Sequence, residues 1–320
     1  MRTPVRKQQP APQDVHIDQA LTNLAIAYIQ RQDIYIASKV FPIVPVDKQS
    51  DKYWIFNKND WYRDEAQKRA DSTESAGSGF TLSQDSYFAD VWAFHKDLGA
   101  QTAHNADAGL KLETASVEFV TQRLLLRQEI QWVNDFFTTG VWGTDTTVTN
   151  LWSNYTSSDP QADIEAAKEL ILATTGQLAN TMVLGYTTYR YLKAHPIIRE
   201  QFKYTSSANI TLALLAQVFE VENIYVAKAI KATNIEGAAS AYAFTHGKHA
   251  WIGYVNPSPG AMQPSAGYTF SWDYASVGAG VVVDSFEIRE KKTTRYEGES
   301  AWDNKVTGAD LGVFFPSVVA

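Results

Sequence analysis

The residues of this chain whose types and spacing suit chemistry are few, and the first are His246 and His249 in Thr245-His246-Gly247-Lys248-His249. Imidazole is a common metal ligand, but Gly247 marks a turn and no acidic residue lies within five positions. A third ligand would have to come from elsewhere, so this spacing assigns no metal. His95 and His104 flank Asp97 as possible general bases, and they read as hydrogen-bonded structural histidines beside aromatic strands. Asp64-Glu65 and the run Glu287, Arg289, Glu290, Lys291 offer paired carboxylates. Solvated faces or salt bridges between copies explain them better than acid/base work. The chain has no GxSxG elbow, GxxxxGK[ST] phosphate loop, GxGxxG fingerprint or HExxH pair, and Gly77 and Gly79 only mimic one. We assign no catalytic residue, no cofactor and no metal, and expect no enzyme.

The elements that would have to position such residues are built from 320 residues, 45% hydrophobic and 12% aromatic, enough for sizeable cores. A formal charge of −7 argues against a dedicated nucleic-acid binder. The basic cluster Arg2, Arg6 and Lys7 sits in MRTPVRKQQPAPQ, a proline- and glutamine-rich start that reads as a solvated arm. Without cysteines, stability must come from packing rather than from disulfides or thiolate metal sites. No apolar run approaches the roughly 18 residues of a membrane span, and the start has no signal-peptide h-region, so a soluble, unexported chain is expected.

The stretch from Lys39 to Leu98 is the most unusual. Two aromatic runs, Tyr53-Trp54-Ile55-Phe56 on to Trp61-Tyr62 and Tyr87-Phe88 through Val91-Trp92-Ala93-Phe94, have the composition of strands. Between them Arg63 to Gly79 reads RDEAQKRADSTESAGSG, which cannot form a core. A two-stranded ribbon is marginal alone in water, so it implies a surface supplied by something else, most simply another copy.

Around that ribbon the other elements fall into order. A short amphipathic stretch, LTNLAIAYIQ, precedes Val40 to Val46, which Pro42 and Pro45 keep extended. Leu110 to Phe137 predicts a helix of about 42 Å, with Leu112, Phe119, Leu126, Ile130, Val133 and Phe137 on its main apolar row and Val117, Val120 and Leu124 on a second. Its core positions are expected to be Phe119, Leu126, Ile130 and Val133. Asp159 as N-cap, Pro160 at the first position and Gly176 as terminator mark the next helix. A strand at Thr181 to Leu184, helices at Tyr186 to His195 (stopped by Pro196) and Leu212 to Phe219 (after Asn209), and a strand at Ile224 to Ala227 suggest an α/β unit. From Ala241 onward strand signals dominate, at Tyr242 to Phe244, His249 to Val255, Tyr268 to Trp272, Val281 to Ile288 and Lys291 to Tyr296, with a proline- and glycine-rich loop at Asn256 to Gly267.

The run KVFPIVPVDKQSDKYWIFNKNDWYRDEAQKRADSTESAG, Lys39 to Gly77, resembles the N-terminal arm and extended loop of tailed-bacteriophage major capsid proteins with the HK97-type fold. The resemblance implies an α+β architecture: arm 1–50, extended β-hairpin loop 51–98, peripheral domain 99–158 with its spine helix 110–137, α/β axial domain 159–280, and strands 281–320 returning to the peripheral domain. It implies that the loop lies over a neighbouring copy, with Trp54, Phe56, Trp61, Arg63, Glu65, Lys68 and Arg69 as contact residues. It further implies pentamers and hexamers closing an icosahedral or prolate head around double-stranded DNA. A portal protein, separate scaffolding and decoration proteins, no membrane, a place in the virion and assembly in the host bacterial cytoplasm belong to the same expectation. The alternatives are an encapsulin-like compartment and a soluble oligomeric binding protein.

Overall fold

The computed structural model describes residues 30–106, 111–202, 210–260, 262–274 and 280–320. The basic start, most of LTNLAIAYIQ and the Asn209 cap lie outside the described residues. After Gln30 a one-turn helix α1 (Ala37–Val40) leads into β1 (Ile43–Val46), where Pro45 is tolerated because β1 is a sheet edge. Strands β2 (Ser50–Phe56) and β3 (Leu82–Phe88) form the ribbon, with a short helix α2 (Lys58–Trp61) between them. Then come β4 (Asp90–Gly99), α3 (Ala100–His104) and the long helix α4 (Leu112–Phe136). The middle of the chain holds β5 (Thr144–Asp145), α5 (Pro160–Thr175), β6 (Thr181–Gly185), α6 (Tyr186–Ala194), α7 (Pro196–Gln201), α8 (Leu212–Val218) and β7 (Asn223–Ala227). Strands β8 (Ile230–Ala232), β9 (Tyr242–Phe244), β10 (Ala250–Gly253), β11 (Gly267–Trp272), β12 (Val282–Ile288), β13 (Thr293–Val306) and β14 (Gly312–Phe315) complete it.

Two five-stranded sheets carry the fold. In the first, β13 is the longest strand and the organiser: β4 runs along one edge, while β11 and β12 share the other, and β1 adds in parallel to β11. Helix α4 lies across this sheet at Gly298, where an added Cβ would come within 2.6 Å of Val120 Cγ1 and 2.9 Å of Leu124 Cδ1. Only glycine admits so close an approach. The second sheet, in the order β5-β14-β10-β6-β7, is covered on both faces. Met182, Leu184, Ala250, Ile252, Val313 and Phe315 face Ile164 and Ile171 of α5 and Leu192, Ile198 and Leu215 of α6 to α8. The alternate residues Val183, Trp251 and Phe314 face Phe41, Trp132, Phe136 and Phe137, which join α1 and the end of α4 to this sheet.

The buried row of α4 is Ser116, Val120, Leu124, Gln128, Trp132 and Phe136, with Glu129 and Val133 beside it. This corrects the expected core: of Phe119, Leu126, Ile130 and Val133, only Val133 is buried. Leu126 and Ile130 are half-buried, and Phe119 is 40% exposed beside Phe94, with Lys96 and Arg123 placed over its ring. Polar residues disguise the true row. Ser116 satisfies itself on the Leu112 carbonyl, and the Glu129 carboxylate accepts the N–H groups of Ile36 and Ala37 at 3.0 and 2.9 Å, capping α1. Burial pushes the Glu129 carboxyl up to about 7, against the lowering effect of those two N–H groups.

Other expectations shift in detail. Asp159 caps α5 through the N–H groups of Gln161 and Ala162, and Gly176 ends that helix in the left-handed conformation. Pro196 stops α6, as expected, but it also opens α7, a helix the sequence did not predict, at that helix's first position. The second aromatic run divides: Tyr87 and Phe88 belong to the ribbon, while Val91 to Phe94 belong to β4 and pair with β13. Residues 281–320 divide as well, with β12 and β13 in the first sheet and β14 in the second, and β11 joins the first sheet.

Candidate functional site

Strand alternation gives the ribbon two unlike faces. Tyr53 and Tyr87 turn inward onto Phe270, at 5.6 and 4.6 Å between ring centroids. The Tyr53 hydroxyl donates to Asp85 Oδ2 at 2.8 Å, and burial followed by that carboxylate raises the phenol above its ordinary range. Asp85 is held below the usual carboxylate range by the Ser86 N–H and then by Tyr53. The root of the ribbon is thus fixed to the first sheet.

The outward face holds Trp54, Phe56, Leu82 and Phe88, because Phe56 stands opposite Leu82, Trp54 opposite Gln84 and Ser50 opposite Phe88. Trp54 is 60% exposed, and Leu82 and Phe88 are exposed with it. Beyond the strands, Asp60 accepts from both the N–H and the hydroxyl of Thr81, at 2.8 and 2.6 Å, closing the base of the connecting loop. Those two bonds hold its carboxyl below the usual range. Phe56, Trp61 and Phe80 form a three-ring cluster at this base, with centroids 5.8 to 6.1 Å apart. Two contacts bring the loop back to its own subunit: the Tyr62 hydroxyl donates to the Thr175 carbonyl, and the Lys58 ammonium meets Asp310.

Of the residues expected at this surface, Phe56 and Trp61 are brought together, and Trp54 stands two residues along the same strand face. Arg63 and Glu65 lie 3.8 Å apart in an exposed pair, while Lys68 and Arg69 are exposed on the loop from 63 to 79, which has no helix or strand. Sequence reasoning placed Phe88 in the ribbon but not among the contact residues, and it missed Leu82 and the Asp60–Thr81 closure. The alternation of Leu82, Gln84, Ser86 and Phe88 carried the first signal, although two of its four members are polar. The closure had no local signature.

The residues considered for chemistry are dispersed. His246 is fully buried against Phe137 and His249, its ring 4.4 and 6.0 Å away, and burial brings it down to about 3. His249 accepts the Ser317 N–H at 3.0 Å. His95 and His104 are exposed, as are Asp64, Glu65, Glu287 and Glu290. Among the described residues no group of three or more His, Asp or Glu side chains is arranged to hold a metal ion, and no helix is long and apolar enough to cross a membrane.

The family model described as "Phage major capsid protein E" matches residues 128–241, from the second half of α4 to the β8–β9 loop. The major capsid protein of Burkholderia phage BcepMu is 32% identical over 314 residues, covering 94% of this chain and 96% of that protein. The crystal structure of a phage-related protein from Bordetella bronchiseptica RB50 superposes with a TM-score of 0.69 at 25% identity, covering 90% of this chain and 94% of that one. The capsid of Myoviridae phage XM1 matches in fold, with a TM-score of 0.59 at 12% identity over 97% of this chain and 99% of that one. Similarity to a capsid protein over almost the whole chain and a fold shared with a phage capsid lead to one conclusion: this chain belongs to the bacteriophage major capsid proteins, with the HK97-type fold.

Proposed function

We propose that copies of this chain join into pentamers and hexamers that close an icosahedral or prolate head around double-stranded DNA, the outward ribbon face of each copy lying on its neighbour. One observation carries the reading: Trp54, Leu82 and Phe88 form an exposed apolar face on a ribbon whose other face is already used. Heterologous contacts of this kind build rings when their rotation closes, and the polar loop from 63 to 79 supplies adaptable contacts where angles differ. Trp54, Phe56 and Trp61 contribute apolar contact, and Arg63, Glu65, Lys68 and Arg69 meet charges on the partner. The net charge of −7 suits a lining to which packaged DNA does not adhere.

The subunit acts without enzymatic chemistry. It assembles in the host bacterial cytoplasm beside a portal protein, with scaffolding and decoration supplied by separate proteins where they are used. An encapsulin shell is similar in fold, and the similarity to a phage capsid protein over almost the whole chain favours the genome container. Electron microscopy of the purified recombinant protein tests assembly: uniform shells are expected, and small oligomers under every condition would refute it. Deleting residues 65–75 should leave a folded subunit that assembles poorly, and normal shells from that deletion would remove the loop from the interface.

A further inference from the structure

The hairpin of β8 and β9 is a second place where apolar side chains stand uncovered. Ile230 lies opposite Phe244 and Ala232 opposite Tyr242, so the four share one face, and Tyr186 at the start of α6 meets the Phe244 ring at 5.5 Å. Tyr242 is 67% exposed and Ile235, in the connecting loop, 82%. A hairpin of two three-residue strands cannot hold such a face to water unaided.

Its outer edge is occupied at one residue. The Ile230 N–H donates to Gln30 Oε1 at 2.9 Å, and the Ile230 carbonyl accepts from Gln30 Nε2 at 2.8 Å. Both backbone groups of Ile230 therefore face away from β9, and the Gln30 amide stands where a further strand would pair. The described chain begins at that residue, and the segment just before it is Leu21-Thr22-Asn23-Leu24-Ala25-Ile26-Ala27-Tyr28-Ile29. Leu21, Leu24, Ala25, Tyr28 and Ile29 follow the i, i+3, i+4, i+7, i+8 spacing of a single apolar helix face.

We propose that residues 21–29 dock on the apolar face of the β8–β9 hairpin of the same chain, covering Ile230, Tyr242, Phe244 and Tyr186, with Gln30 as the pin that sets their position. The pin and the hairpin belong to one subunit, so the segment next to the pin starts beside this hairpin. Nine residues span about 14 Å as a helix or about 30 Å extended, enough to cover strands about 10 Å long. The inference is independent of how copies assemble, since it concerns a contact inside one subunit.

The chain has no cysteine, so a disulfide trap has no background. In full-length protein carrying Leu24→Cys and Tyr242→Cys, mild oxidation should yield an intrachain disulfide on a monomer-length band, formed about tenfold faster than links between copies because the two thiols share one tether. In a second protein carrying Tyr242→Ser and Phe244→Ser, both at exposed positions, backbone amides of 21–29 should lose their hydrogen-exchange protection while those of β6 and β10 keep theirs. Disulfides forming between copies, or not at all, would overturn the proposal. So would exchange at 21–29 that is the same in the unaltered and double-serine proteins.

Discussion

The second sheet and the ribbon are made from the same kind of strand and meet opposite fates. In β10, Ala250 and Ile252 point to one side and Trp251 to the other, and all are fully buried. In β2, Tyr53 points inward and Trp54 and Phe56 point away, and Trp54 stays in water. Alternation is common to both, so it does not separate a strand that stabilises the subunit from one that joins subunits. The connections do. The strands of the second sheet are linked through α5 to α8, which fold back to cover one face, while α1 and the end of α4 cover the other. The strands of the ribbon are linked by 57–81, where Trp61 and Phe80 pack on Phe56 and the rest is largely a polar loop, so Trp54 and Phe88 stay exposed.

This contrast breaks first where burial is deepest. Leu124→Asp places an unpaired carboxylate between α4 and Gly298 and should cost several kcal/mol, a large part of a stability of about 5–15 kcal/mol, so soluble folded protein should be lost. Leu126→Asp, on the half-buried side, should cost less, and equal losses in thermal denaturation would contradict the placement of the helix. Trp251→Ala should cost about 3–5 kcal/mol in chemical denaturation, because the indole is packed between Phe41, Phe137 and Trp142.

A smaller effect sharpens the contrast, because burial shifts two titrating groups of the covered interior, His246 and Glu129. His246 is brought to about 3 in the folded chain, so the unfolded chain binds the proton first. Its contribution is therefore present above about pH 6.5 and lost as pH falls toward 3. Glu129 is raised to about 7, so its contribution is full below about pH 4.5 and lost as pH rises through 7. Denaturation midpoints from pH 4 to 8 should show His246→Phe flattening the acid limb and Glu129→Gln the limb between about 4.5 and 7. Unchanged limbs in both variants would mean that neither group titrates where burial puts it.

Much of this was legible in the sequence, and the failures share one cause. Helix α5 could be read from Asp159, Pro160 and Gly176 because caps and terminators are local. Strands β6, β7, β9 and β12 could be read from short apolar runs between turn residues. The face of α4 could not, because Ser116, Gln128 and Glu129 lie on its buried side and Phe119 on its outer side, and their partners, such as the N–H groups of Ile36 and Ala37, lie far away in sequence. The ribbon's position was legible from composition, and its end was not. What moves Val91 to Phe94 out of it is pairing with β13, about 200 residues later.

The most direct test is the double variant Trp54→Ser with Phe88→Ser, followed by calorimetry of the isolated subunit and electron microscopy of the assembly reaction. Both side chains are exposed in the subunit, so its unfolding should stay within about 0.5 kcal/mol of the unaltered protein while shells are lost. Normal shells, or a subunit that no longer folds cooperatively, would contradict the claim that this apolar face belongs to the neighbouring copy.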